Sequence, residues 1–304
     1  MFLHKISLYT FVLHVFLLSL QSKNTENHIK MNKPFNVKTG CKINLGLNIT
    51  ERRPDGYHNL QTIFYPVPLY DELRIWEGEG EDVLTLGGHS LDGDVQDNLV
   101  LRAVRLLRQE GFHIPSLNID LRKVIPSGAG LGGGSSDAAC MIRTLAGLYH
   151  LPLSEEQMEW LAGRLGADCP FFINPRPVYA EGIGDVFTPI SLNLSGWYLI
   201  LVKPEVHIST REAYAGVHPH QPACSLLETA QMPVGKWTGR MVNDFEESVF
   251  SNYPLLAEIK QELYHQGAAY AAMSGSGSTI FGLFRSRPDC EQLFADHFTE
   301  LMKL

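Results

Sequence analysis

Cysteine is scarce in this sequence. The five cysteines are Cys41, Cys140, Cys169, Cys224 and Cys290, and no two of them form a C-x-x-C pair. An odd number of widely spaced cysteines argues against a disulfide framework, and the missing pairs argue against a zinc site. We therefore expect reduced thiols and a cytoplasmic protein.

Positive charge is also in short supply. The chain has 25 lysines and arginines against 33 aspartates and glutamates, a net charge of −8, and no basic block interleaved with aromatic residues. Because nucleic acids are bound by basic surfaces, the sequence predicts no nucleic-acid partner. With 44% hydrophobic and 19% charged residues, the composition is otherwise that of an ordinary globular protein.

The N-terminal apolar stretch is too short to cross a membrane comfortably. It reads "ISLYTFVLHVFLLSL" at residues 6–20, whereas a spanning helix needs about 20 apolar residues. It resembles a weak signal peptide, but only Lys5 supplies positive charge before it and no clear cleavage site follows. Because the composition changes at Met31, we predict that residues 1–30 are an extension outside the fold, and we expect no membrane partner. An exported binding protein is the alternative.

Glycine, in contrast, is concentrated in "VIPSGAGLGGGSSDAA" at residues 124–139. Glycine is used where the backbone takes a positive φ or where another group approaches the main chain closely. The preceding segment alternates Leu117, Ile119 and Leu121 with polar residues, which predicts a half-buried strand. A strand leading directly into the glycines argues against a flexible linker.

A helix is predicted directly after the glycines, with Ser135 or Ser136 capping its start. The apolar residues of its buried face recur at i, i+3, i+4 and i+7, and they are Ala138, Met141, Ile142 and Leu145. A strand, a glycine loop and a helix N-terminus in this order direct free amides and the positive end of the helix dipole into the loop. The pattern therefore predicts a phosphate-binding loop.

Two other phosphate loops do not fit this segment. The glycines satisfy G-x-G-x-x-G, but a dinucleotide-binding fold would continue with a strand. Here the following segment, "SEEQMEWLAGRLG", has a capping box from Ser154 to Gln157 and predicts a second helix. The Walker pattern fails because Gly134 and Ser135 stand where its lysine and its Ser/Thr would be.

The chain has no internal repeat and divides into two predicted domains. Strands are indicated from "NVKTGCKINLGLNI" to "DVLTLGG", and "NLVLRAVRLLRQEG" predicts a helix that ends at Gly111. A buried strand, "GWYLILVKP", opens the second half, and a final helix is predicted near "CEQLFADHF". We place the boundary near residue 195.

Several motifs together resemble those of the GHMP kinases. They are "KINLGLNITERRPDGYHNLQT", "IPSGAGLGGGSSDAA", "LGADCPFF", "AEGIGD" and "MSGSGSTIFG", and the resemblance runs from about residue 37 to 290. It implies an α+β fold of two domains, an N-terminal nucleotide-binding α/β domain over residues 31–195 and a ferredoxin-like α+β domain over residues 196–304. It also implies an ATP-dependent kinase of small molecules that uses Mg²⁺.

In this family the ATP phosphates lie along the glycine loop. The residues that the resemblance places there are Pro126, Ser127, Gly128, Ala129, Gly130, Leu131, Gly132, Gly133, Gly134, Ser135 and Ser136.

The resemblance also places the reacting groups. The lysine of the first strand and the aspartate of the "GAD" motif map onto Lys42 and Asp168, and Asn44 is expected to orient the acceptor or Lys42. A carboxylate can accept or orient the hydroxyl proton while an ammonium offsets the charge of the transferring phosphoryl group. A turn aspartate and a lysine at a strand end are the structural alternatives.

The segment "RPDGYH" distinguishes branches of the family, because it indicates an acceptor that carries a cytosine. Pro-Asp-Gly alone would be an ordinary turn. The resemblance implies that Tyr57, His58 and Tyr214 contact the base of a cytidine diphosphate-linked polyol in non-mevalonate isoprenoid synthesis.

A second small-residue motif, "SGSGST" from Ser274 to Thr279, predicts a nest of amides that closes over phosphate, with a hairpin turn as the alternative. Its phosphate-closing residues are Gly275, Ser276 and Gly277. Asp185 of "AEGIGD" either faces the nucleotide or ends a turn, and the sequence does not identify the Mg²⁺ ligands.

Other functions are consistent with part of this pattern. A GHMP kinase for mevalonate, a sugar or homoserine would share the glycine loop but not "RPDGYH". A catalytically inactive sugar or nucleotide sensor would lack Lys42 or Asp168, and both are present. We expect a monomer or a weak homodimer.

Overall fold

The computed structural model of the protein describes residues 33–90 and 93–304. The predicted extension at residues 1–30 lies outside the described residues. The chain divides into two compact units that alternate along the sequence. Among the described residues, unit 1 contains 33–39, 71–90, 93–123 and 134–173, and unit 2 contains 40–70, 124–133 and 174–304. The domain boundary at residue 195 stays a prediction.

Strands and helices are mixed along the described chain, which agrees with the predicted α+β class. The strands are β1 (Phe35–Arg52), β2 (His58–Glu77), β3 (Val83–Gly88), β4 (Leu117–Lys123), β5 (Val178–Glu181), β6 (Val186–Pro189), β7 (Tyr198–Lys203), β8 (Tyr270–Met273), β9 (Ile280–Phe284) and β10 (Phe298–Lys303). The α-helices are α1 (Leu99–Gln109), α2 (Gly133–Leu148), α3 (Glu155–Gly163), α4 (Thr210–Ala215), α5 (Leu226–Ala230), α6 (Phe245–Asn252) and α7 (Pro254–His265). Short 3₁₀ turns span Val95–Asp97, Pro170–Phe172, Val234–Lys236 and Glu291–Phe294.

The described part of unit 1 contains three helices and a small sheet. The C-terminal part of β2 pairs antiparallel with β4, and β4 pairs in parallel with β3. The alternation that predicted a strand at residues 117–123 places its apolar side chains inside, with Ile119 opposite Ile75 and Leu121 opposite Leu73. The predicted apolar face of α2 is confirmed, because its four residues are fully buried: Ala138, Met141, Ile142 and Leu145.

The start of α2 differs from the prediction. The helix begins at Gly133, so Ser135 and Ser136 lie within its first turn and neither caps it. The two glycines at 133 and 134 are already helical, whereas Gly132 has a φ of +72°, so the helix cannot begin earlier. The next capping box is confirmed: the amide of Gln157 donates to Ser154 Oγ at 3.2 Å, and the amide of Ser154 donates to the Gln157 side chain at 2.8 Å.

Unit 2 contains a four-stranded antiparallel sheet in the order β10-β7-β9-β8. In this unit β2 pairs with β5, and β5 with β6; β1 pairs with β2. Buried side chains of β7, β8 and β9 supply two hydrophobic clusters. These elements position the glycine loop at residues 124–132 and the loop between β8 and β9.

The predicted final helix is wrong. Residues Glu291–Phe294 form only a 3₁₀ turn, and the chain then continues as β10, which pairs with β7 from Phe298 opposite Lys203 to Lys303 opposite Tyr198. The hydroxyl of Thr299 donates to the Phe294 carbonyl at 2.9 Å, next to the start of that strand. Pairing along the edge of β7 satisfies the backbone here in place of helical hydrogen bonds.

No helix in the described part of the chain combines the length and the apolar character that crossing a bilayer requires.

Candidate active site

In the glycine loop of unit 2, buried residues alternate with more accessible ones from Gly128 to Gly132. Ala129 and Leu131 pack in a hydrophobic cluster, so they can meet a ligand only through their backbone. Between them Gly130 has a φ of +72°, and a Cβ there would lie 1.9 Å from the carbonyl oxygen of Ser274. Glycine is therefore required at residue 130. Ser127 and Gly128 are exposed, and Pro126 is partly buried.

Lys42 of β1 is held against this loop. Its amide donates to the Leu131 carbonyl at 3.0 Å, and its Nζ donates to the Gly130 carbonyl at 3.2 Å. The same ammonium donates to Asn44 Oδ1 at 2.6 Å and lies 4.9 Å from the centre of the Phe64 ring. The structure thus brings together Lys42, Asn44 and the glycine loop within unit 2.

The loop between β8 and β9 lies beside the glycine loop. Ser274 Oγ donates to the Gly130 carbonyl at 2.8 Å and accepts the amide of Asn44 at 3.2 Å. The amide of Thr279 donates to the Ala129 carbonyl at 3.3 Å. A Cβ at Gly275 would lie 3.3 Å from the Gly130 carbonyl oxygen. The two glycine-containing loops that the sequence singled out are therefore neighbours within unit 2.

Two polar residues that support these loops escaped the sequence analysis. Asn243 is buried and its Nδ2 donates to the carbonyls of Met273 and Gly275, both at 2.8 Å. Thr62 on β2 accepts Asn44 Nδ2 at 3.0 Å. Nothing in the local sequence indicates that Asn243 is a supporting residue. For Thr62 a signal was present, because it is a polar residue at the start of the otherwise apolar segment "TIFYPV".

Two of the three predicted acceptor residues are in contact. The rings of His58 and Tyr214 stack with centroids 4.8 Å apart and planes inclined by 23°, and Phe245 meets Tyr214 edge-on. Partial burial and the charge of Arg52 lower the pKa of His58, so its ring is neutral at physiological pH. Tyr57 is 61% exposed, and its amide donates to Asp55 Oδ1 at 3.1 Å within the turn.

Asp168 belongs to unit 1, at the turn between α3 and the 3₁₀ turn Pro170–Phe172. The amide of Cys169 donates to the Gly166 carbonyl at 3.1 Å and closes the turn. Burial and the charge of Asp168 raise the pKa of the Cys169 thiol to about 11, although a hydrogen bond with Ser135 opposes them. The thiol beside the predicted base is therefore protonated. A pairing of Asp168 with Lys42, which lies in unit 2, stays a prediction.

A buried ion cluster in unit 1 also escaped the sequence analysis. Lys123 Nζ donates to both Asp71 and Asp137, the latter at 2.7 Å, and Thr39 Oγ1 donates to Asp137 at 2.5 Å. The three charged side chains are at most 2% exposed. Burial raises the pKa of Asp137 from 3.8 to about 6, although the Lys123 charge opposes the shift.

Asp185 ends a turn. Its Oδ1 accepts the amide of Ile183 at 3.1 Å, and its own amide donates to the Glu181 carbonyl at 3.2 Å, at the connection between β5 and β6. Of the two roles considered for Asp185, facing the nucleotide or ending a turn, these contacts correspond to the second.

Two family models match the chain. The model described as the GHMP kinases N terminal domain matches residues 98–175, and the one described as GHMP kinases C terminal matches residues 231–299.

Curated relatives from bacteria are similar over most of the chain. A 4-diphosphocytidyl-2-C-methyl-D-erythritol kinase of Bacteroides fragilis is 54% identical over 247 residues, which is 80% of this chain and 90% of the relative. The kinase of the same name from Porphyromonas gingivalis is 48% identical over 84% of this chain and 94% of its own length.

Solved structures share the fold. A crystal structure of 4-(cytidine 5'-diphospho)-2C-methyl-D-erythritol kinase matches with a TM-score of 0.72 and 31% identity over 88% of this chain and 98% of that chain. The mevalonate kinase of Methanococcus jannaschii, at 15% identity, a TM-score of 0.65 and coverage of 90% and 99%, shares the fold alone. The resemblance indicated by the motifs and the α+β fold are thus confirmed.

Proposed function

This chain belongs to the GHMP kinases, and from that membership we propose that it transfers the γ-phosphoryl group of ATP to the 2-hydroxyl of 4-diphosphocytidyl-2-C-methyl-D-erythritol. The choice of acceptor substrate rests on the 54% identity to a kinase named for that substrate, over 80% of this chain. The protein is accordingly a phosphotransferase with an alcohol group as acceptor, in the non-mevalonate route of isoprenoid synthesis.

The glycine loop receives the ATP phosphates in this proposal. The side chains of Ala129 and Leu131 are buried, so the loop meets a ligand through its main chain. The helix α2 begins at the end of the loop, where the first amides of a helix have no partner within the helix and the dipole is positive. The adjoining loop that contains Gly275, Ser276 and Gly277 adds a second backbone surface beside Gly130. An arrangement of this kind suits a triphosphate, because amides can donate to many phosphate oxygens at once.

Lys42 and Asp168 carry the chemistry. The bond between the γ-phosphorus and the oxygen bridging to the β-phosphate breaks, a bond to the acceptor oxygen forms, and the hydroxyl proton passes to Asp168. The ammonium of Lys42 offsets the negative charge of the transferring group. Its two hydrogen bonds, to Asn44 and to Gly130, support this role because they fix the ammonium at the loop.

The acceptor's cytosine is bound by Tyr57, His58 and Tyr214 in this proposal. A stacked pair of rings offers a flat surface on which a base can lie, and stacking of a base on an aromatic side chain is worth about 1–3 kcal/mol. The neutral ring of His58 has one nitrogen that accepts and one that donates a hydrogen bond, so it can form hydrogen bonds with the polar edge of the base.

The family resemblance implies Mg²⁺, which when bound would supply positive charge that offsets the charge of the transferring phosphoryl group. Among the described residues, no group of three or more His, Cys, Asp or Glu side chains could hold a metal ion. We further propose that the enzyme acts in the cytoplasm, which is consistent with its free cysteines.

A panel of acceptors tests the proposal. The purified protein is supplied with ATP, Mg²⁺ and either 4-diphosphocytidyl-2-C-methyl-D-erythritol, mevalonate, galactose or homoserine, and ADP formation is measured. We expect turnover of the first alone. Asp168→Asn is the control against a contaminating kinase, since losing a general base costs about 10²–10⁴ in kcat. Equal turnover of mevalonate would contradict the acceptor, and no turnover of any acceptor would favour an inactive sensor.

A further inference from the structure

The buried ion cluster of unit 1 joins the two ends of the glycine segment. Lys123 is the last residue of β4, directly before the loop, and Asp137 lies in the second turn of α2, directly after it. Lys123 Nζ donates to Asp137 Oδ2 at 2.7 Å. This contact spans residues 124–136, which include all eleven positions, 126–136, that the resemblance places at the ATP phosphates.

Both carboxylate oxygens of Asp137 accept hydrogen bonds. While Oδ2 accepts from Lys123, Oδ1 accepts from Thr39 Oγ1 at 2.5 Å. The side chains of Lys123 and Asp137 are each 2% exposed, so water does not compete for the pair. Charge-assisted hydrogen bonds of this kind are short and directional. The distance between the strand end and the helix start is therefore closely defined.

Charge balance alone does not account for Asp137. Asp71 already pairs with Lys123 and is itself fully buried, so one carboxylate suffices to neutralise the lysine. A second buried carboxylate is costly, and burial accordingly raises its pKa to about 6. Because Asp137 is the carboxylate that lies on the helix following the loop, it can connect that helix to the strand before the loop, which Asp71 on β2 cannot do.

We propose that Asp137 is a positioning residue for ATP, because its pairing with Lys123 ties the start of α2 to the end of β4 and so fixes the glycine loop between them. This inference rests on the proposed use of the loop as the ATP site. Closing a loop by its ends removes conformations that would otherwise have to be lost when the phosphates bind.

The test compares Asp137→Asn with Asp71→Asn. Each change removes one of the two buried carboxylate charges that pair with Lys123 and keeps the shape of the side chain, but only Asp137 lies on the helix that follows the loop. We expect Asp137→Asn to raise the KM for ATP about tenfold, which corresponds to about 1.4 kcal/mol. The KM for the acceptor is expected to change less than threefold, and Asp71→Asn to leave both KM values within threefold.

ATP affinity measured by calorimetry without acceptor separates this inference from the proposed function. A wild-type protein that binds ATP but phosphorylates no acceptor would contradict the function, and tenfold weaker ATP binding by Asp137→Asn would still support the positioning role. Equal effects of the two variants, or unchanged ATP affinity in a folded Asp137→Asn protein, would overturn it. If that variant does not fold, Asp137→Glu, which keeps the charge and changes its reach, is expected to weaken ATP binding likewise.

Discussion

The glycine loop and the segments that flank it are held by different kinds of interaction. In unit 2 the carbonyl of Gly130 accepts a neutral hydroxyl from Ser274 and one ammonium from Lys42. In unit 1 the flanks are joined by Lys123 with two carboxylates, all of them buried. Removing the Ser274 hydroxyl from unit 2 breaks only neutral hydrogen bonds and should cost little, whereas a buried ion pair that loses a partner leaves an uncompensated charge. The two regions should therefore differ sharply in their response to single substitutions.

Removing the cation from the cluster should have the largest effect on stability. Lys123→Met leaves Asp71 and Asp137 facing each other in the core, and breaking a buried pair in this way typically costs about 3–5 kcal/mol. Chemical denaturation measures the loss. The triple variant with Asp71→Asn and Asp137→Asn has no unpaired charge and is expected to recover most of it. A single variant as stable as the wild type would show that the cluster is not ionic.

A side chain at Gly130 should disrupt the neutral region by shape rather than by charge. The left-handed conformation costs a residue with a Cβ about 1–2 kcal/mol, and the Cβ would lie 1.9 Å from the Ser274 carbonyl oxygen. Because the loop backbone must then move, we expect Gly130→Ala to raise the KM for ATP roughly 100-fold. Steady-state kinetics on the folded variant checks this.

Gly134 is the matched control for that prediction. It is helical, and a Cβ there would meet nothing nearer than Leu99 Cδ1 at 3.8 Å. Gly134→Ala should therefore not lower stability, since alanine favours a helix more than glycine does, and a rise in its KM for ATP would come from contact with phosphate. Coinciding unfolding curves for Gly130→Ala and Gly134→Ala would contradict a special backbone requirement at Gly130.

A single hydroxyl of the neutral network should matter less. Ser274→Ala removes the bond to Gly130 and the partner of the Asn44 amide, and neutral hydrogen bonds contribute about 0.5–1.5 kcal/mol each. We expect the variant to unfold about 1–2 kcal/mol more easily and the KM for ATP to rise a few-fold. Ser278→Ala is the control, because the hydroxyl of Ser278, in the same loop as Ser274, donates to the Val206 carbonyl at 2.7 Å instead of to Gly130. An ATP effect of equal size in the control would contradict the assignment.

Local patterns in the sequence predicted the elements that depend on neighbouring residues. The strand at Leu117–Lys123, the buried face of α2 and the capping box at Ser154 follow from side chains within a few positions of one another. The final helix was wrong because β10 is set by pairing with β7, almost 100 positions earlier along the chain.

The supporting contacts of the site were missed for the same reason. The Asn44 amide meets a hydroxyl 230 positions away, and Thr39 meets Asp137 across 98 positions. No periodicity records such pairs. The sequence did identify Lys42, Asn44 and both glycine loops through their resemblance to known motifs, and the structure brings these four features together within unit 2.

The smallest expected effect concerns pH, and it tests whether charge matters in unit 1 beyond the buried cluster. Asp82 accepts two hydrogen bonds from Arg108, at 2.6 and 2.8 Å, and one from the Leu117 amide. Burial raises the pKa of Asp82, but the arginine and the amide outweigh it and the net shift is downward from 3.8. A carboxyl whose folded pKa is lowered contributes stability above pH 3.8, and this is lost as the pH falls through the folded value. Below about pH 4 the free energy of unfolding should therefore fall more steeply with pH for the wild type than for Asp82→Asn.

Asp120 is the control, because its ion pair with Arg74 is partly exposed and 3.7 Å long, and Asp120→Asn should retain the wild-type slope. If all three proteins gave parallel curves, the ion pair of Asp82 would contribute no more than an exposed one, and the contrast between the two units would reduce to the buried cluster alone.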